Sequence, residues 1–286
     1  MEASRERCGP KLDEMQSGGS RRSAEIVLGL LFKDFDHIRS VVDVGCGVGT
    51  WLAVCRQLGC GVVIGADWHA MDATELHIDA RDIVGVNLEQ KIKLARRFDL
   101  CLSLEVADQL NRERAPSFVE DLCALSDLVL FSAAVPGQNG TSHVNEQWHS
   151  FWASLFDRNG YGCFDLIRSR VWHDARVDWW YAQNAYVFVN KEAGQLLEKA
   201  QLARSRLDAL VLYDTIHPHC YSNSREKREY SAEYVQRLEK ELGESRAILA
   251  EIMNSECWRY TKFVRTIVSS IRRLQVRLSK KIRRSD

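Results

Sequence analysis

The sequence has no apolar run approaching the ~18 residues that cross a membrane, and its N-terminus is polar and charged. We therefore expect neither a membrane span nor a secretory signal. The nine cysteines are odd in number and scattered, which favours free thiols in a reducing cytoplasm over a disulfide framework. His217, His219 and Cys220 stand together without a second group of ligands, so we predict no metal site.

Acidic and basic residues balance over the chain, at 39 each, yet the basic residues concentrate between residues 258 and 284. Apolar residues recur there at helical spacing, and such a basic amphipathic helix is typical of a segment that binds an anionic membrane surface. Packing against a helix of another protein is the first alternative. Nucleic-acid binding is disfavoured, because few aromatic residues interleave with the basic ones.

Strand-like and helix-like segments alternate between residues 23 and 190, which predicts an α/β fold with a parallel, doubly wound sheet. Ser23 is the predicted cap of the first helix. Two strand-like runs, Cys163–Ile167 and Tyr181–Val189, have no helix expected between them and predict an antiparallel hairpin at one edge of the sheet. The sequence then divides into a disordered lead-in (1–22), an α/β domain (23–195), a helical, coiled-coil-like extension (196–256) and a basic amphipathic tail (257–286).

The extension has a helical apolar pattern from about Arg225 onward. Its positions Val235, Leu238, Leu242, Leu249 and Ile252 are apolar and step by threes and fours, with Ser245 in the slot between Leu242 and Leu249. This spacing is typical of a short coiled coil, here interrupted by Gly243. We therefore predict that residues 225–256 can form a homo-oligomer.

A glycine-rich segment, Asp43 to Gly49, lies directly after one predicted strand and directly before a predicted helix. Glycine is needed where the backbone approaches a ligand closely or adopts positive φ, and the helix points its N-terminal N–H groups at the same place. Asp43 can hold a cationic amino group, whereas it would repel a pyrophosphate. Asp67 ends the next strand, where a carboxylate commonly binds ribose hydroxyls. These features favour S-adenosylmethionine as cofactor, with a dinucleotide as the alternative.

The same residues resemble the first motif of class I S-adenosylmethionine-dependent methyltransferases, and the likeness covers about residues 25–190. It implies a Rossmann-like, seven-stranded sheet that ends in a hairpin. The cofactor-binding residues that it implies are Asp43, Gly45, Cys46, Gly47, Gly49, Asp67, Asn87, Leu88 and Glu105. Asn87 replaces the usual aspartate of this family. Asp108-Gln109-Leu110 stands where many relatives have Glu-His-Leu, which removes one catalytic histidine.

The loop after the fifth predicted strand, Pro136 to Trp148, is polar and leads into an aromatic helix. His143 is the predicted general base, because imidazole titrates near neutral pH. Glu146 is predicted to orient His143 or to serve as a second base. The alternative interpretations are a locally hydrogen-bonded loop histidine and a glutamate that caps a helix.

The string Asn145 to Trp148 and the run Trp179 to Asn184 resemble a subgroup of bacterial methyltransferases associated with surface polysaccharide and lipopolysaccharide synthesis. The resemblance implies O-methylation of a glycan or glycolipid precursor. The substrate residues are then Asn145, Trp148, Trp179, Trp180 and Asn184, since flat aromatic faces suit sugar rings. The alternatives are a small molecule or a protein side chain as acceptor, or a non-catalytic scaffold. We expect a cytoplasmic protein that can lie on the inner face of the membrane.

Overall fold

The computed structural model describes residues 10–67, 74–138, 140, 143–207, 214–222, 237 and 240–251, with side chains from residue 20 onward. The chain divides into two compact units, residues 1–224 and 225–286. The strands of the first unit are β1 (Ser40–Val44), β2 (Val62–Asp67), β3 (Ile83–Gly85), β4 (Leu100–Leu104), β5 (Leu128–Ser132), β6 (Tyr161–Phe164) and β7 (Tyr186–Asn190). Its helices are α1 (Pro10–Asp34), α2 (Thr50–Gln57), α3 (Ala115–Leu125), α4 (His149–Arg158), α5 (Arg168–Val171), α6 (Trp179–Asn184) and α7 (Gly194–Ser205).

The strands form one seven-stranded sheet in the order β3-β2-β1-β4-β5-β7-β6. Strands β1 to β5 run parallel to one another, which confirms the predicted α/β class. Strands β1, β4 and β5 are buried along their whole length. Their nearly continuous apolar sequences suit this position, because central parallel strands are covered by helices on both faces.

Two apolar cores cover the two faces of the sheet. On one face, α1 and α2 contribute Leu28 and Leu52, which are fully buried with Val41 of β1. On the other face, α3 contributes Phe118, which is buried with Val42. The neighbouring residues Val41 and Val42 enter opposite cores because side chains alternate along a strand. The carboxyl ends of the parallel strands therefore share one edge of a rigid, two-sided core.

The prediction that a hairpin turn joins the last two strands is wrong. Strand β7 lies between β5 and β6 and is antiparallel to both. The chain between β6 and β7 forms α5 and α6, so no hairpin turn joins the two strands. Residues 181–184, which we predicted as the start of a strand, are helical in α6. This turns the consecutive Gln183 and Asn184 into the protein interior, each at most 1% exposed.

The first helix begins earlier than predicted. Helix α1 starts at Pro10, so residues 10–22 are helical where we predicted a disordered lead-in, while residues 1–9 lie outside the described residues. Ser23 is not a cap, because it lies inside α1. Its hydroxyl donates to the Asp178 carboxylate at 2.9 Å, and this contact fixes α1 against the start of α6.

The α/β unit also extends beyond the predicted boundary at residue 195. Helix α7 packs on the core through buried Ala200 and Ala203, and residues 214–222 belong to the same unit. In the second unit, a helix over 240–251 continues through Gly243 without the predicted interruption, and it exposes Leu242 and Leu249.

Two parts of the predicted C-terminal region, most of the coiled-coil pattern and the basic tail, lie outside the described residues. Among the described residues, no helix is both long and apolar enough to cross a membrane.

Candidate active site

The glycine-rich loop forms a tight turn between β1 and α2. Gly45, Gly47 and Gly49 have φ values of 85°, 52° and 80°, in the left-handed region that glycine adopts at little cost. The Gly47 N–H donates to the Asp67 carboxylate at 2.8 Å. The Gly45 N–H donates to the Ala66 carbonyl at 2.7 Å. The loop is therefore attached to the carboxyl end of β2.

The three glycines meet different surroundings. A Cβ atom on Gly45 would lie 2.3 Å from a methyl carbon of Val106, and one on Gly49 would lie 2.7 Å from the Ile78 side chain. A Cβ atom on Gly47 would meet nothing within 4 Å. Packing therefore requires Gly45 and Gly49, whereas Gly47 leaves open space above the loop where a ligand can approach the backbone.

A buried carboxylate lies next to this space. Asp43, in β1, is 3% exposed. Burial, helped by the nearby Asp67 carboxylate, raises its pKa to about 7. Removing a carboxylate from water without a cationic partner disfavours its charged form. A cationic ligand would relieve this cost, so the site fits the sulfonium and ammonium groups of S-adenosylmethionine.

The loop after β3 is held by groups that the sequence analysis did not single out. The Asn87 carboxamide accepts the Glu89 N–H at 2.9 Å, and Leu88 packs into the core. Arg114 donates to the Leu88 carbonyl and forms a buried ion pair with Asp121 at 2.5 Å. Arg114, held by this ion pair, fixes the backbone at the predicted cofactor-binding residue Leu88.

Cys46, another predicted cofactor residue, is buried beside Gly65. A Cβ atom on Gly65 would lie 2.5 Å from the Cys46 sulfur. Burial raises the pKa of the Cys46 thiol, so it stays neutral. The thiol supports the underside of the glycine loop.

Glu105 directly follows β4 and has φ of 56°, which is unusual for a residue with a side chain. Its backbone N–H donates to Ser132 of β5. Its carboxylate accepts the Gln138 and Asn184 carboxamide N–H groups at 2.9 and 3.0 Å. Burial and the nearby Asp108 carboxylate raise the pKa of Glu105 to about 8. Backbone outliers of this kind persist where the surroundings hold them, often at functional sites.

His143 lies between two carboxylates. Its Nδ1 is 3.1 Å from Glu146 Oε1, and its Nε2 is 3.1 Å from Asp108 Oδ2. Asp108 is fully buried, whereas His143 and Glu146 are partly exposed. Gly140 allows this arrangement, since a Cβ atom there would lie 2.2 Å from the His143 ring. The predicted pair of His143 and Glu146 is thus in contact, and Asp108 is a third member that the sequence analysis missed.

The predicted substrate residues differ in exposure. Asn145 is 2% exposed and donates to the Ala107 carbonyl, and Asn184 is 1% exposed and bonded to Glu105. Both carboxamides form hydrogen bonds to other groups inside the protein. Trp148 is 42% exposed, while Trp179 and Trp180 are half-buried on α6. Of these five residues, the three tryptophans are the ones with surface that an acceptor can reach.

The comparisons with known proteins agree with this geometry. The model of a family described as a methyltransferase domain matches residues 12–203, more than half of the chain. The chain belongs to this methyltransferase family. It is an S-adenosylmethionine-dependent enzyme, and Asp43, the Gly45–Gly49 loop and Asp67 are the residues that would hold its cofactor. That cofactor supplies a methyl group carried on a sulfonium.

Several solved methyltransferase structures are similar to this chain at low sequence identity. A sugar N-methyltransferase from Streptoalloteichus is 12% identical with a TM-score of 0.50, over 66% of this chain and 96% of that chain. Magnesium protoporphyrin IX methyltransferase from Synechocystis is 18% identical with a TM-score of 0.45, over 65% and 88% of the two chains. An amino pentose methyltransferase from Micromonospora echinaspora is 12% identical with a TM-score of 0.47, over 66% and 100%. No curated protein sequence matched the chain.

Proposed function

We propose that this methyltransferase transfers the methyl group to a hydroxyl of a glycan or glycolipid precursor. The observation that carries the proposal is the contact of His143 with both Asp108 and Glu146, between β4 and the loop after β5. An alcohol is a weak nucleophile until its proton begins to leave, so a hydroxyl acceptor needs a proton-accepting group beside it. A histidine held by carboxylates is suited to this task.

The two contacts of His143 have different roles in this proposal. Asp108 is buried, and its Oδ2 lies 3.1 Å from Nε2 without hydrogen-bond geometry, so this contact keeps a carboxylate beside the ring. The contact at Nδ1 joins two partly exposed side chains, and an acceptor hydroxyl can take the place of the Glu146 oxygen. The hydroxyl then gives its proton to Nδ1, and the Asp108 carboxylate stabilises the resulting imidazolium. Glu146 stays nearby because the Gly137 N–H donates to its other oxygen at 2.7 Å.

The exposed Trp148 supports a sugar as the acceptor. It follows Glu146 by two residues in the chain and presents an aromatic face to solvent. An amphipathic ring of this kind can stack on the apolar face of a sugar while its N–H binds a hydroxyl. Trp179 and Trp180 offer further partly exposed aromatic surface on α6.

The test is a transfer assay with trideuteromethyl-labelled cofactor and extracted glycolipid and nucleotide-sugar precursors. Mass spectrometry after hydrolysis should place the label on a sugar oxygen. The His143→Gln variant should lose most of the turnover and keep cofactor affinity, while His173→Gln, at an exposed histidine, should behave as wild type. Label found only on nitrogen, on protein or on a non-sugar molecule would overturn the proposal, as would normal turnover in His143→Gln.

We further propose that the basic tail, residues 258–284, docks this enzyme on the anionic inner face of the membrane, and that residues 225–256 mediate self-association. The support is the sequence pattern: clustered basic residues with an apolar stripe in the tail, and heptad-like spacing before it. Such docking would place a cytoplasmic enzyme beside glycolipid precursors.

A further inference from the structure

Residues 214–222 lie beyond the family match at 12–203, yet they bond to the active-site side of the α/β unit. The Asp214 carboxylate accepts the Ser150 N–H at 3.0 Å and the Ser150 hydroxyl at 2.8 Å. Ser150 lies in the first turn of α4, where a carboxylate satisfies an otherwise unpaired N–H group and is favoured by the helix dipole. This end of the segment is therefore attached to the helix that follows the His143 loop.

His217 attaches the segment at a second point. It is 7% exposed, and its Nε2 lies 2.9 Å from the Trp172 carbonyl oxygen. Its Nδ1 accepts the His219 N–H at 3.2 Å. Because Nδ1 accepts a hydrogen bond, the ring proton is on Nε2 and is donated to Trp172. The ring thereby fixes the position of the His217 backbone N–H, which donates to the Gln183 Oε1 at 2.7 Å.

This hydrogen bond sets the direction of a chain of carboxamides. With its oxygen bound to His217, Gln183 turns its NH2 group toward Gln138 Oε1 at 3.2 Å and Asn184 Oδ1 at 3.0 Å. Those two oxygens are then occupied, so the NH2 groups of Gln138 and Asn184 face Glu105. A primary carboxamide has its acceptor oxygen and its donor NH2 group on opposite sides. Fixing the oxygen of Gln183 therefore determines the orientation of Gln183, Gln138 and Asn184.

His149 supports the same orientation. Its Nε2 lies 3.0 Å from Asn184 Oδ1. Burial lowers the pKa of His149 to about 4, so the ring is neutral and donates through a single N–H. Two donors on Asn184 Oδ1 leave the Asn184 NH2 group to bind the Glu105 carboxylate.

We propose that residues 214–222 are a positioning element of the active site, in which the His217 N–H directs a carboxamide chain that holds the Glu105 carboxylate at the end of β4. Two N–H donors favour the ionised carboxylate, and they oppose the burial that disfavours it. Breaking the chain at Gln183 should therefore make Glu105 harder to ionise. The proposal depends on the methyltransferase site alone and not on the identity of the acceptor.

The test measures the ionisation of Glu105 in the full chain. Carboxyl carbons of glutamate are labelled with ¹³C, and the Glu105 signal is assigned by its absence in Glu105→Gln. Gln183→Leu should raise the titration midpoint by roughly one pH unit, a tenfold weaker acid. His217→Ala should shift it in the same direction, and His217→Gln should restore it, because the glutamine amide can donate to the Trp172 carbonyl. Tyr221→Ala, at a 67% exposed position of the same segment, is the matched control.

A second measurement links the ionisation to function. The pH profile of S-adenosylmethionine affinity, measured by calorimetry, should move to higher pH in Gln183→Leu and His217→Ala. Gln183→Met replaces the leucine variant if that chain is poorly folded. An unchanged Glu105 titration in folded Gln183 variants would overturn the proposal. An unchanged affinity profile, or failure of His217→Gln to restore the wild-type midpoint, would also overturn it.

Discussion

Replacing Asp43 by asparagine should stabilise the free protein and weaken its cofactor site at the same time. Burial, helped by Asp67, raises the pKa of Asp43 from 3.8 to about 7. A group whose pKa is higher in the folded than in the unfolded state stabilises the fold at low pH, and this stabilisation is lost as the pH rises from about 4 to 7. The shift of about 3 units corresponds to roughly 4 kcal/mol as an upper value, at about 1.4 kcal/mol per unit.

Asparagine has nearly the same shape as a protonated aspartate and carries no charge to desolvate. Asp43→Asn should therefore match wild type near pH 4 and exceed its free energy of unfolding by up to about 4 kcal/mol above pH 7. Urea unfolding followed by tryptophan fluorescence between pH 4 and 9 measures this difference. A variant that is less stable than wild type at pH 8 would refute the reasoning.

Cofactor binding provides the second half of this test. The cationic groups of S-adenosylmethionine favour ionised Asp43, so wild-type affinity should rise between pH 6 and 8 and fall at least about tenfold in Asp43→Asn at pH 8. Asp99→Asn is the control, because its effect on the free energy of unfolding should have the opposite sign. Burial raises the pKa of Asp99, but hydrogen bonds from Arg39 and Ser40 outweigh it and leave the pKa lowered, so this variant should lose stability and keep cofactor affinity.

Three further perturbations test the support of the site and the proposed tail. Asp121→Asn should lower the free energy of unfolding by roughly 3 kcal/mol, because it leaves the buried Arg114 charge without a carboxylate partner. Urea unfolding measures this difference, and an unchanged free energy of unfolding would contradict the importance of the ion pair. Gly45→Ala should cost about 2 kcal/mol through positive φ and the contact with Val106, and adding Val106→Ala should recover part of it in the same assay. Truncation of residues 257–286 should abolish sedimentation with anionic vesicles and leave cofactor affinity intact; retained sedimentation would exclude the tail as the membrane anchor.

The central strands and the glycine loop were predictable because local pattern and tertiary position agree there. Strands β1, β4 and β5 are short apolar runs between helices, and burial on both faces demands that composition. The segment Tyr181 to Asn184 was predicted wrongly as strand because aromatic residues favour strands. Its structure is decided by buried polar contacts, since adjacent residues of a strand face opposite sides whereas α6 directs both Gln183 and Asn184 inward.

The cluster of His143, Glu146 and Asp108 was predictable from the sequence only in part. His143 and Glu146 are three residues apart in one loop, so their contact follows from local sequence. Asp108 lies in a short 3-10 turn, Ala107–Gln109, after β4, and only the pairing of β4 with β5 brings it to His143. The carboxamides that hold Glu105 have no sequence signature, because glutamine and asparagine are common on surfaces and are recognised as functional here only by burial.

Asp43 and Glu105 divide the site into two differently supported halves. Both are carboxylates with raised pKa, on the neighbouring strands β1 and β4 or directly after them. Burial and Asp67 both oppose the charge of Asp43, so a cationic ligand must supply the compensation. Glu105 instead has two N–H donors whose orientation depends on Gln183 and on His217, outside the family match. The charge of Asp43 therefore depends on a bound cation, whereas that of Glu105 depends on a segment outside the family match.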